Sequence, residues 1–290
     1  MKKKTRVRFN KIILIPTDFS PVCENAIAHG IEMARFLDYS VCILHVIDKK
    51  DRQASPKENM DPEQFTMQLL KCREKYERLL PGHVDILTRE GNLFTVINQV
   101  GKELKSGLMI LGTHGKQGLQ HLFGSHALKV VLDSPCPVVV VQKRSFGKGY
   151  KKIVLPISSE IEPRQAVGWV MLMHNLFGSR IMIYQALEPD ATMNNQMNST
   201  TRQILAIFKE NKIKCEVAFS EQSSDFSLQV ISHAAAHKAD LIMIMTMPAL
   251  DLTGFSFTAW NEKIMFNEAQ IPVMCINPVE TSDSFQQGLM

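Results

Sequence analysis

An internal repeat constrains this chain more than any other feature. KIILIPTDFS, from Lys11, returns about 140 residues later as KKIVLPISSE, with Pro16 matched by Pro156. SPCPVVVVQK, from Ser134, returns as AQIPVMCINP, from Ala269. A period this long marks a duplicated domain, because solenoid repeats recur every 20–50 residues or so. The length agrees, since 290 residues suffice for two domains that each bury a core. Phe146-Gly147-Lys148-Gly149 reads as the linker, giving domains at residues 1–147 and 148–290.

Within each copy, short β-branched runs alternate with longer helix-period segments. The first copy carries strands at Lys11–Pro16, Val41–Ile47, Val84–Thr88, Leu108–Leu111 and Val138–Gln142. The second carries them at Ile153–Ile157, Arg180–Tyr184, Lys214–Ala218, Leu241–Met245 and Pro272–Ile276. Continuously apolar strands of this length belong to a sheet covered on both faces. Ser20-Pro21 and Asp61-Pro62-Glu63 are helix starts, and Asn92 and Ser125 are candidate caps. The polar segment from Glu188 to Thr201 reads as a mobile loop. The fold class is therefore α/β: two tandem doubly wound domains, each a five-stranded, mostly parallel sheet with helices on both faces.

Composition narrows the function classes. At 45% hydrophobic and 21% charged, the chain is an ordinary globular one. No apolar run reaches the roughly 18 residues that span a bilayer. Basic residues precede Ile12–Ile15, but that run is too short for a signal-peptide core, so a cytoplasmic location is expected. The six cysteines lie far apart without ligand spacing, and most sit in apolar runs, as buried reduced thiols do. The net charge of +4 is uneven. Residues 1–147 carry 22 Lys+Arg against 15 Asp+Glu (+7), and residues 148–290 carry 11 against 14 (−3). Much of the basic excess sits in the first eight residues, with no interleaved aromatics, so no nucleic-acid partner is expected, and no membrane either.

In an open parallel sheet, ligands bind beyond the carboxyl ends of the strands where strand order reverses. Two such ends in the first copy stand out. The first strand finishes in Pro16-Thr17-Asp18, placing a carboxylate there. The fourth runs into LGTHGKQGLQHLFGSHALKVV, with Gly112, Gly115, Gly118 and Gly124 ahead of a helix. Glycines let backbone N–H groups approach phosphate oxygens, the helix N-terminus adds oriented donors, and Lys116 adds a full charge. Asp18 is placed to accept from ribose hydroxyls. Each element also has a plain structural reading: a tight strand-to-helix turn for the glycines, an N-terminal partner of the first helix for Asp18. The loop is neither GxxxxGK[ST] nor GxGxxG. His114, His121 and His126 have no cysteine partner and no HxxxH pairing on a clear helix, so no metal is expected.

PTDFS after the first strand, LHVID ending the second, and GTHG…GS before the last helix resemble the universal stress proteins, in a tandem arrangement that is strong only in the first copy. The family's loop is G-2x-G-9x-G-[S/T]. Here Gly112 and Gly115 are followed by eight residues and then Gly124-Ser125, one residue short, with Gly118 supplying slack. The resemblance implies ATP or a related adenine nucleotide, with or without Mg²⁺. It implies the base near Pro16, Thr17 and Val46, the ribose near Asp18, and phosphates near Gly112, His114, Gly115, Gly124, Ser125 and His126. In the second copy, Ser158 replaces Asp18, Met245 and Pro248 replace Gly112 and Gly115, and Ala259-Trp260 replaces Gly124-Ser125. A methionine fills the space a phosphate needs and proline removes a donor, so no nucleotide is expected there.

Single-domain members of the family commonly pair through their final strands. The resemblance therefore implies internal pairing of the two domains through Val138–Val141 and Pro272–Ile276, with a homodimer as a further possibility. The functional expectation is a nucleotide-binding regulator of the stress response. An interaction module with a relic loop and a slow nucleotide hydrolase are the alternatives. No paired carboxylates or activated nucleophile appear, so any hydrolysis is expected to be slow.

Overall fold

The computed structural model describes residues 9–48, 62–80, 82–113, 124–159, 163–221, 225–246 and 255–278. It divides after Phe146 into two compact units.

The first unit runs β1 (Asn10–Pro16), α1 (Pro21–Leu37), β2 (Ser40–Ile47), α2 (Pro62–Glu77), β3 (Val84–Glu90), α3 (Leu93–Leu104), β4 (Ser106–Gly112), α4 (Gly124–Leu132) and β5 (Val138–Val141). Its strands lie in the order β3-β2-β1-β4-β5, with every pair parallel. All seven residues of β4 are buried, so both faces of the sheet are covered. The helix starts read from sequence are built as such. Ser20 accepts from the Cys23 amide with Pro21 at the first helical position, and Asn92 accepts from the Phe94 and Thr95 amides. The last helix begins at Gly124, which places Ser125 within its first turn rather than at its cap.

The second unit runs β6 (Lys152–Ile157), a 3₁₀ turn (Pro163–Gln165), α5 (Ala166–Phe177), β7 (Arg180–Gln185), α6 (Ala191–Glu210), β8 (Cys215–Phe219), α7 (Phe226–Ala236), β9 (Leu241–Met245), α8 (Phe255–Met265) and β10 (Val273–Ile276). Its parallel strands repeat the first topology as β8-β7-β6-β9-β10. The segment expected as a loop from Glu188 is largely helix α6. Asp190 caps it by accepting from the Met193 amide, and Met197, Thr201, Ile204 and Phe208 form its buried stripe. The polar residues that suggested a loop are the solvated face of an amphipathic helix.

The residues on either side of the division pack within their own units. Phe146 is buried and meets the His29 ring edge-on at 5.4 Å. Gly149 has φ +87°, and a Cβ there would lie 2.5 Å from the Phe177 ring. His29, inside α1, is wholly buried. Burial pulls its pKa down to about 4; the Asn25 carbonyl opposes this, and the Arg144 charge adds to it. The six cysteines are free thiols, with Cys23, Cys42, Cys136 and Cys275 buried. Burial raises the thiol pKa of Cys42 and Cys136 to about 12.

Candidate functional site

Strand order in the first unit reverses at β1, with β2 and β3 on one side and β4 and β5 on the other. The crevice beyond the carboxyl ends of β1 and β4 is the position where doubly wound sheets take ligands. Pro16, Thr17, Asp18, Val46 and Gly112 all fall at this end of the sheet, since they close β1, β2 and β4 or directly follow them.

A chain of short bonds sets the β1–α1 loop. The Thr17 amide donates to the Leu44 carbonyl at 2.8 Å, continuing the β1–β2 ladder one residue past the strand. Thr17 Oγ1 accepts from the Phe19 amide at 3.0 Å, and Asp18 Oδ1 accepts from the Ser20 amide at 2.9 Å. Phe19 is thereby held at φ +62°, a left-handed conformation unusual for a bulky residue. Asp18 stays exposed while Thr17 is buried. The Cys23 thiol lies beside Asp18, and its pKa is pushed up to about 12, first by burial and then by that carboxylate's charge. The two groups share one corner of the crevice, and the thiol there is inert as a nucleophile.

Gly112 ends β4, paired with Val141, and the buried Thr113 extends that ladder by donating to the Val141 carbonyl at 2.9 Å. The glycine has a packing cause. A Cβ at position 112 would stand 2.9 Å from the Val22 carbonyl oxygen and 3.1 Å from the Cys23 Cα, both backbone atoms of the first turn of α1. Gly112→Ala is therefore expected to destabilise the first unit by about 2 kcal/mol through overpacking against an element that cannot yield locally, measurable as a lower urea midpoint. His114, Gly115 and Lys116 lie outside the described residues, as do Gly118 and His121. Gly124, Ser125 and His126 form the first turn of α4, where backbone amides lack intrahelical partners and the helix dipole is positive.

Three rings that sequence reasoning did not assemble tie the β1–α1 loop to β2 and α2. His45 on β2 and Phe65 on α2 lie with centroids 4.4 Å apart, and Phe19 is 4.7 Å from His45 and 6.3 Å from Phe65. Beside them, the ends of β2 and β3 and the first turns of α2 enclose a cleft of about 530 Å³, lined by Ile47, Glu63, Thr66, Met67, Thr88, Arg89 and Glu90. Among the described residues, no group of three or more His, Cys, Asp or Glu side chains converges as a metal site would require. Nor is any helix among them long and apolar enough to cross a membrane.

The corresponding end of the second unit is built differently. Ser158 and Ser159 follow β6, and Ser159 donates to Glu188 Oε1 at 2.8 Å. The helix that follows starts only at Ala166, and its Gln165 N-cap side chain makes no capping bond to the helix amides. Met245, at the position of Gly112, is buried. α8 starts at Phe255, leaving nine residues after β9 against eleven after β4.

Comparison with known proteins places this architecture. The model of the universal stress protein family matches residues 10–142. Universal stress protein MJ0531 of Methanocaldococcus jannaschii is 32% identical over 142 residues, which is 46% of this chain and 82% of that protein. Universal stress protein G of Salmonella typhimurium is 27% identical over 141 residues, 46% of this chain and 99% of that protein. Among solved structures, a universal stress protein from Archaeoglobus fulgidus shares the fold at a TM-score of 0.74, over 94% of this chain and 99% of that one. At 12% identity, that likeness speaks for the fold alone.

Proposed function

Because the chain belongs to the universal stress protein family, we propose that its first unit holds an adenine nucleotide, ATP or a close relative, and acts as a nucleotide-dependent regulator. The observation that carries this reading is the β1–α1 loop. A carboxylate stands exposed at the switch point, in a loop fixed by hydrogen bonds at Thr17 and Ser20, after the strand that pairs with the one leading into the glycine segment.

The donor and acceptor set suits such a ligand. A carboxylate offers about four lone-pair sites, so Asp18 can accept from ribose hydroxyls while keeping its bond from the Ser20 amide. The base would lie along the ends of β1 and β2 at Pro16, Thr17 and Val46. The phosphates would take the amides of Gly112, His114, Gly115, Gly124, Ser125 and His126, with Lys116 as a counter-charge. Any Mg²⁺ would arrive with the phosphates and neutralise part of their charge. In the second unit, the buried Met245 and the replacement of Asp18 by Ser158 argue for a copy that takes no nucleotide. The reading is of binding and release: the described residues Pro16, Thr17, Asp18 and Val46 offer contacts to a base and a ribose, not a nucleophile beside a base.

Denaturing the purified protein and separating the supernatant by chromatography tests this. Released adenine nucleotide, or a rise in Tm with millimolar ATP, is the expected result. A protein that is empty and shows no shift favours an interaction module instead. Steady phosphate release lost on His114→Ala would favour the hydrolase.

A further inference from the structure

We propose that His45 is a positioning residue for the first-unit site: it holds the loop that carries Asp18 and ties that loop to helix α2. The inference rests on the nucleotide reading for its ligand and on the structure for its mechanism. His45 lies on β2 and is 4% exposed. Its Nδ1 stands 2.9 Å from the Thr17 carbonyl oxygen. A carbonyl only accepts, so Nδ1 carries the proton and donates. That bond reaches the residue immediately before Asp18, on the backbone whose next turns are closed by Thr17 Oγ1 and Asp18 Oδ1. The ring is packed against Phe19, the strained residue immediately after Asp18, and against Phe65 of α2. Asp18 is thus flanked on both sides by residues that His45 holds, one by a hydrogen bond and one by ring contact.

The other face of the argument is cost. Nε2 of His45 is buried and has no hydrogen-bond partner among the described residues. Leaving such an acceptor unmet is destabilising by about 1–3 kcal/mol. The duplicated domain shows what the same position looks like without that cost. Register places Gln185 on β7 where His45 stands on β2, since Pro16 pairs with Leu44 and Pro156 with Tyr184. Gln185 is bonded at both polar atoms: its Nε2 donates to Asn198 Oδ1 at 2.9 Å, and Thr201 donates to its Oε1 at 2.7 Å. The residue matching Phe19 is Ser159, bonded to Glu188. Where the carboxylate is lost, the ring cluster and its unmet nitrogen are lost with it, and a satisfied polar network takes the place. The first unit keeps an arrangement that costs stability, next to the loop that would hold the ribose of the proposed ligand.

H45F and H45N on the full chain separate positioning from packing. H45F keeps a ring for Phe19 and Phe65, removes the donor to Thr17 and removes the unmet nitrogen. ATP affinity measured by calorimetry is expected to fall roughly tenfold, with Tm of the ligand-free protein unchanged or raised. H45N retains an N–H donor and is expected to bind ATP within about threefold of wild type. In the D18A background, H45F is expected to cause no further loss, because it acts through that carboxylate. Hydrogen exchange of the Phe19 and Ser20 amides in the ligand-free protein reads the loop directly. Faster exchange in H45F, with β1 and β4 protection intact, is expected. Wild-type affinity in H45F, or losses that add fully to those of D18A, would overturn the proposal. If wild type binds no adenine nucleotide, the site reading fails and exchange alone decides: unchanged Phe19 and Ser20 rates then overturn the role of His45, and faster rates uphold it.

Discussion

Asp18→Ala is expected to weaken ATP binding roughly ten- to a hundredfold while leaving the first unit folded. The carboxylate is exposed, so its removal opens no cavity and strands no buried charge. It does withdraw charge-assisted hydrogen bonds to the ribose, worth about 1.5–3 kcal/mol together. The local cost is the acceptor for the Ser20 amide, 2.9 Å away, at the entrance to α1. Ser20 still caps that helix through Cys23, so the loss of stability is expected to stay near 1 kcal/mol or below. Calorimetric titration of ATP into wild type and D18A, beside their urea midpoints, checks both parts. D18N adds a control, because the amide oxygen still accepts from Ser20 while the charge is gone.

The second large effect concerns acid. His29 is buried in α1 with its pKa pulled down to about 4, whereas an imidazole in the unfolded chain titrates near 6.5. Between those values the unfolded chain binds a proton that the folded chain refuses. The stability that follows is fully present above pH 6.5 and is lost as pH falls toward 4, amounting to about 3 kcal/mol across the window. Unfolding free energies from urea titrations at pH 7 and pH 4.5 are expected to differ by about 2 kcal/mol for wild type and by much less for His29→Leu. An equal slope in the two proteins would show that other groups carry the acid sensitivity.

The repeat made the fold legible. Paired landmarks such as Pro16 and Pro156 fixed two domains, and the apolar runs gave ten strands that the structure places within one or two residues. The helix from Ala191 escaped because its apolar stripe, Met197, Thr201, Ile204 and Phe208, is thin and interrupted by a threonine. Polarity was taken for irregular structure, when tertiary packing of one narrow face sufficed to hold the helix. At the proposed site, Asp18 and Gly112 were candidates because they stand at strand ends beside turn residues, whereas Pro16, Thr17 and Val46 came from the resemblance to the family. The reason for Gly112 was not readable. A backbone-to-backbone approach of α1 sets it, and no local pattern announces an element arriving from ninety residues earlier. His45 stood in plain view as the one polar residue of Val41–Ile47, yet its partners come from two separate segments, Thr17 and Phe19 from the β1–α1 loop and Phe65 from α2. Only the positive φ of Phe19, invisible in sequence, shows that the loop is held against its own preference.

The central claim is that one copy of a duplicated domain kept a nucleotide site and the other gave it up. Stoichiometry tests it most directly. Titration of ATP into the full chain is expected to saturate at one nucleotide per 290 residues, to be lost in D18A and to be unchanged in S158A. Two nucleotides per chain, none, or a loss in S158A would contradict it.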